Sequence, residues 1–240
     1  MADAVQSNDS NVRIRIRETP LRVLVTNSKG GCGKTTIATN LACAFAQRGD
    51  GTALIDFDPQ SSAVEWLKVR PEEMPKIFGV DAINDSQTFT FKSWEMRLPS
   101  ETRSVVIDSP AGVTGNDLSE RIRKADVILI PVLPSAIDIR AATRFIAEVM
   151  LNPIFRTKPI PVAVIANRTK KTTLTYHKLE KFLKSLKIPF VASIRDVQQY
   201  VKSAEQGQGV LDETNIHYAD KKTWKQITQW LDQQRKPFKR

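Results

Sequence analysis

The chain has 240 residues, 41% of them hydrophobic, which suits one large domain with a full buried core. Its 36 Lys and Arg against 26 Asp and Glu give a formal net charge of +10, an excess that favours a polyanionic partner, either nucleic acid or an acidic membrane surface. The two cysteines lack paired metal-ligand spacing and fit a reducing compartment; no apolar run spans a bilayer, and the polar Met1-Ala2-Asp3-Ala4 is no signal peptide.

Residues 1–20 read as a peripheral N-terminal extension ahead of a single domain over 21–240. Within the extension, Asn8-Asp9-Ser10-Asn11 is polar enough to be disordered, and Val12-Arg13-Ile14-Arg15-Ile16-Arg17 alternates apolar with basic. That alternation suits an added, half-exposed edge strand or tail first, with a basic arm that touches nucleic acid as the functional reading. From residue 21 onward apolar runs alternate with helical periodicity. Strands are expected near 21–26, 52–57, 104–108, 127–132, 161–166 and 189–193, and helices near 34–48, 61–69, 115–124, 137–151, 174–186, 196–205 and 219–234. Strands that are apolar throughout, with helices between them, predict an α/β fold: a doubly wound, mostly parallel sheet covered by helices on both faces. A ligand then binds at the carboxyl ends of the strands.

One stretch occupies that position and has a specific chemistry. Lys29-Gly30-Gly31-Cys32-Gly33-Lys34-Thr35-Thr36 follows the first strand and opens the first helix, the context a phosphate-binding loop requires. Glycines let successive backbone N–H groups turn toward phosphate oxygens, and the helix N-terminus adds its partial positive charge. Lys34 can reach the β- and γ-phosphates of a nucleoside triphosphate, and the Thr35 hydroxyl can ligate Mg²⁺. The stretch departs from the ordinary pattern at one place, because Ser28 stands where the first glycine would fall and an extra lysine, Lys29, follows it.

That extra lysine makes the stretch resemble the deviant Walker A motif of the ParA/MinD ATPases. Further segments resemble the same family in order: Asp56-Phe57-Asp58-Pro59-Gln60 after the second strand, Val106-Ile107-Asp108-Ser109-Pro110 as the Walker B strand end, and the later strands ending at Pro131-Val132 and Asn167-Arg168. Ser193 to Lys202 is similar to the late region of small ParA-type partition and carboxysome-positioning ATPases, and the likeness extends over about residues 21–235. The resemblance implies a P-loop ATP hydrolase using ATP and Mg²⁺, with the loop from Lys29 through Gly30, Gly31, Cys32, Gly33, Lys34, Thr35 and Thr36 on the phosphates. It implies Asp108 and Asp56, with Thr35, around the metal, Asp58 on the attacking water, and Asn167 and Arg168 toward the adenine. Lys29 would reach across a two-fold homodimer to the partner's nucleotide. The absence of cysteines outside the loop and its helix sets the chain apart from the iron–sulfur carriers of the superfamily.

Other residues are less committed. Asp138 could face a partner's nucleotide site, or it could be a favourable charge at a helix N-terminus. His177 and His217 are isolated and carry no catalytic pattern, and Trp224, Ile227, Trp230 and Leu231 share the docking face of the last helix. Lys170, Lys171, Lys202, Lys221, Lys222, Lys225, Arg235 and Lys236 concentrate positive charge in the last third and are the candidate DNA contacts. The expectation is a cytoplasmic, nucleoid-associated ATPase that dimerises on ATP, binds DNA nonspecifically and positions a cargo until an adaptor protein stimulates hydrolysis. The rivals are a MinD-type membrane-associated ATPase and a metabolic ATP-dependent ligase of the same superfamily. The first is disfavoured because the tail Gln233 to Arg240 holds a proline and one aromatic, a poor insertion surface.

Overall fold

A computed structural model of the chain describes residues 19–83 and 94–235. In chain order its elements are β1 (Leu21–Val25), α1 (Lys34–Ala46), β2 (Gly51–Asp56), α2 (Ser62–Lys68), β3 (Ile77–Asp81), α3 (Trp94–Arg97), β4 (Thr102–Asp108) and α4 (Gly115–Lys124). They continue with β5 (Val127–Val132), α5 (Ala136–Met150), α6 (Ile154–Thr157), β6 (Val162–Thr169), α7 (Leu174–Ser185), β7 (Phe190–Arg195), α8 (Gln199–Glu205) and α9 (Tyr218–Gln233). The strands form one seven-stranded sheet in the order β3-β2-β4-β1-β5-β6-β7, every pairing parallel.

Strand residues alternate between faces, so each apolar strand feeds two cores. Val23 and Val25 pack toward Leu41 and Phe45 of α1, Trp66 of α2 and Trp224, Ile227 and Leu231 of α9. Leu24 turns the other way, toward Leu118 and Ile122 of α4, Phe145 of α5 and Leu179 and Leu183 of α7. Three of the four residues expected on the docking face of the last helix are fully buried, and Trp230 is partly buried at its margin.

The structure adds β3, which was not expected. Its residues, save the buried Val80, are exposed or half-exposed and broken by Gly79, so no apolar run marks it, yet it pairs in register with β2 from Thr52↔Ile77 to Asp56↔Asp81. The short α3 and α6 carry no periodic pattern either. At the other edge β7 extends to Arg195 and α8 starts only at Gln199, three residues later than expected, because the Asp196 amide donates to the Thr169 carbonyl and prolongs the sheet. The proposed edge strand at 12–17 and the tail 236–240 lie outside the described residues. Among the described residues no helix is long and apolar enough to cross a membrane.

Candidate functional site

The carboxyl ends of β1, β4 and β2 are joined to their neighbours, β5 included, one residue beyond the strands. Thr26 N–H donates to Leu129 O at 3.0 Å, Ser109 N–H to Val25 O at 3.3 Å and Phe57 N–H to Asp108 O at 3.0 Å. The loop from Ser28 to Gly33 leaves this rigid edge from the central strand. Asn27, buried, fastens its start: Nδ2 donates to Pro131 O at 2.7 Å and Oδ1 accepts the Lys29 N–H at 3.1 Å. Gly31 and Gly33 have φ of 72° and 92°, left-handed values at which a side chain would be strained. Helix α1 starts at once, with no side-chain cap and no acidic residue in its first turn. Its first N–H groups are thus left for an anion from outside the helix.

The lysines and the thiol divide the loop between them. Lys34 is buried and its ammonium reaches back across the loop to Lys29 O at 3.2 Å, which uses one of its three donors. Lys29 itself is exposed. Cys32 is buried with its Sγ on Lys29 O, and burial pushes its thiol pKa up, so it is a packing residue rather than a nucleophile.

The three aspartates have distinct environments. Asp56 is fully buried and accepts three backbone N–H bonds: from Asp58 at 2.8 Å, Ala63 at 2.8 Å and Val64 at 3.2 Å. It caps α2 and shapes the β2–α2 turn, so its oxygens are already engaged; burial still raises its pKa against those bonds. Asp58 is half-buried, accepts the Gln60 N–H at 3.0 Å and lies within electrostatic reach of Asp108. Asp108 is fully buried, and neither of its oxygens has a partner at hydrogen-bonding geometry. Burial drives its pKa up to about 7, with the nearby Thr35 hydroxyl and Lys34 lowering it and Asp56 and Asp58 raising it. Two orphaned carboxylate oxygens beside the Thr35 hydroxyl fit a hard divalent cation. Among the described residues no three His, Cys, Asp or Glu side chains form a metal cluster, so such a cation would draw its other ligands from phosphate and water.

The structure places the remaining candidates as follows. Asn167 is buried, and its amide binds the loop: Nδ2 donates to Cys32 O at 2.9 Å. Arg168 is exposed and left-handed at φ 49°. Asp138 pairs with Ser135 at the start of α5, its N–H donating to Ser135 Oγ at 3.1 Å, while its Oδ1 is buried without a partner. His217 accepts the Ala219 N–H and caps α9, and His177 is exposed on α7.

Lys170, Lys171, Lys202, Lys221, Lys222 and Lys225 are exposed. The first five surround the carboxyl ends of β6 and β7, where the Lys170–Asp196 ion pair and the Asp220 bonds to Arg195 and Tyr200 join the segments carrying them. Arg235 lies at the opposite edge, bonded to Asp50 at 2.9 Å, Ser104 at 2.8 Å and Asp232 at 3.2 Å, with its charge balanced there. Lys236 lies outside the described residues. Sequence reasoning missed Asn27; an asparagine between a buried strand and a glycine loop is the signal that could have found it.

Residues 23–210 match the family described as the CobQ/CobB/MinD/ParA nucleotide binding domain. Over 188 residues the chain is 30% identical to the maintenance of carboxysome distribution protein A of Halothiobacillus neapolitanus, covering 78% of this chain and 84% of that one. Solved structures share the fold, two of them with over nine-tenths of this chain covered. One is the MinC:MinD cell division complex of Aquifex aeolicus (TM-score 0.69, 22% identity, 92% and 98% of the two chains), and the other is an ATP complex of a Cyanothece McdA variant (TM-score 0.67, 18% identity, 92% and 100%).

Proposed function

The chain belongs to the CobQ/CobB/MinD/ParA family of nucleotide-binding domains, and on that premise we propose that it is a ParA-type positioning ATPase. In this reading it dimerises on ATP, binds DNA without sequence preference and is released when an adaptor protein stimulates hydrolysis. The observation that carries the nucleotide part is Asp108, whose two unpartnered buried oxygens lie beside Thr35 and Lys34 under a glycine loop. A triphosphate would take the α1 amides and the remaining Lys34 donors. Asp108 and Thr35 would hold Mg²⁺, which when bound neutralises charge on the phosphates; Asp56 would support that shell by fixing the β2–α2 turn. Asp58, at that turn, would orient the attacking water. The exposed Lys29 would serve the partner's nucleotide across the two-fold axis, and Arg168 would lie toward the base.

The relative from Halothiobacillus is named for carboxysome distribution, which supports a protein organelle as the cargo. The DNA surface is assigned to the lysines at the β6–β7 corner, on the same edge of the sheet as the nucleotide, where a dimer would bring two copies together. Arg235 is left out of it.

Gel shifts on unrelated duplexes test the cycle, with ATP, ADP and no nucleotide, in an Asp58→Ala background that slows turnover. Retention is expected with ATP alone, falling with salt at a slope of about −0.9 per phosphate neutralised. Equal retention in all three states would sink the reading, and retention on anionic vesicles but not on DNA would favour a membrane-associated ATPase. Lys29→Ala in the same background should bind ATP and sediment as a monomer; a dimer as tight as the parent would confine Lys29 to its own loop.

A further inference from the structure

Asn167 divides its amide between two backbone groups. Its Nδ2 donates to the Cys32 carbonyl, 135 residues away, at 2.9 Å, and its Oδ1 accepts the Arg168 N–H at 2.9 Å. The fit is close: a Cβ built on Gly33 would lie 2.0 Å from that same Nδ2. The Arg168 bond also holds a left-handed backbone, φ 49°, that an arginine rarely adopts.

In a trans peptide the C=O and the following N–H point to opposite sides. Anchoring the Cys32 carbonyl on Asn167 therefore directs the Gly33 N–H to the other side of that peptide. Without the amide the peptide could rotate, and glycine puts up little resistance to rotation. Rotation would replace an N–H donor by a carbonyl oxygen, which repels phosphate.

We propose that Asn167 is a positioning residue of the phosphate loop, holding the Cys32–Gly33 peptide for polyphosphate and tying the loop to the carboxyl end of β6 through Arg168. The proposal rests on the ATP-site reading above and changes what Asn167 does within it: its amide sets phosphate affinity, with or without a base in the site.

The test compares Mg-ATP with Mg-tripolyphosphate, which has no base, by calorimetry on the full chain. Asn167→Ala should weaken both by about tenfold, the weight of one well-made buried hydrogen bond, and by the same factor within about twofold. Asn167→Ser, too short to reach Cys32, is the second variant should alanine fail to fold. Wild-type affinity for tripolyphosphate in either variant, with or without loss of ATP, overturns the clamp. Gly33→Ala gives an independent arm: its methyl meets the amide, so adding Asn167→Ala should restore part of the lost tripolyphosphate affinity, and strictly additive losses would overturn the proposal. A wild-type chain that binds neither ligand overturns the ATP-site reading and the clamp with it; one that binds both leaves the clamp to be judged by the variants.

Discussion

At the amino edge of the sheet, Arg22 binds Asp126 at 3.0 Å and Glu95 at 3.1 Å, Arg48 binds Asp232 at 2.8 Å, Arg235 binds Asp50 at 2.9 Å and Arg70 binds Asp212 at 2.8 Å. At the carboxyl edge, both oxygens of Asp108 and the hydroxyls of Thr26 and Ser109 are buried without partners. The amino edge matches these charges with one another, whereas the carboxyl edge sets unmatched Asp108, Thr26 and Ser109 among the bonded Asp56, Asn27 and Asn167. An unpaired buried polar group costs about 1–3 kcal/mol, so their concentration beside the phosphate loop is a cost the fold carries where a charged ligand would offset it. These amino-edge pairs are structural, and at the carboxyl edge structural bonds and unmatched groups lie side by side.

Breaking the amino edge should give the largest effect on stability. Arg70 and Asp212 have side chains only 6% and 0% exposed, and Arg70 also donates to Gly207 O and Pro75 O. Arg70→Ala should destabilise the protein by about 3–5 kcal/mol, because it strands a buried carboxylate; urea unfolding measures it. ATP affinity of the folded fraction should be unchanged, and a large loss of affinity would mean the two edges are not separate. Burial alone would raise the Asp212 pKa, but Arg70 and Gln47 hold it below the usual carboxylate range. The stability it contributes is thus present above the unfolded pKa and lost as pH falls through the lower folded value.

Asp108 has the opposite sign. Its folded pKa near 7 lies above the unfolded value of 3.8, so the nucleotide-free protein should lose stability as pH rises between the two. Asp108→Asn should flatten that slope. The variant should be more stable than wild type by about 1–3 kcal/mol at pH 8 and equal to it at pH 3, in melts without nucleotide or metal. Parallel pH profiles for the two proteins would show that Asp108 is not buried unpaired.

Arg235→Ala sharpens the contrast with the smallest change. Its ion pairs are about a third exposed, so the expected cost is about 1 kcal/mol or less. DNA retention with ATP should match the parent. A clear loss in the gel shift would place the DNA surface at the amino edge instead of the β6–β7 corner.

Six of the seven strands and the seven longer helices were legible in the sequence, because apolar runs and helical periodicity are properties of neighbouring residues. β3 was not, since its partner is β2 and all its residues but Val80 are exposed or half-exposed. The glycine loop was legible for the same local reason: strand, glycines, lysine and helix are consecutive. The aspartates were legible as a set, and their division of labour was not. Asp56 and Asp108 both end apolar strands, yet one faces the amides of the following helix and the other faces none.

By itself, then, the sequence determined the order of strands and helices, the glycine loop between β1 and α1, and the excess of positive charge. Tertiary structure decided which side chains hold that loop and which charges are spent. Asn27 reaches Pro131 across 104 residues, Asn167 reaches Cys32 across 135, and Arg235 reaches Asp50 across 185. Those partners meet because the sheet places β5 beside β1 and β6 beside β5, and because α9 runs from the β7 corner back to the amino ends of β2 and β4. A local pattern can specify a turn, but only the packed sheet brings together atoms so far apart in the chain.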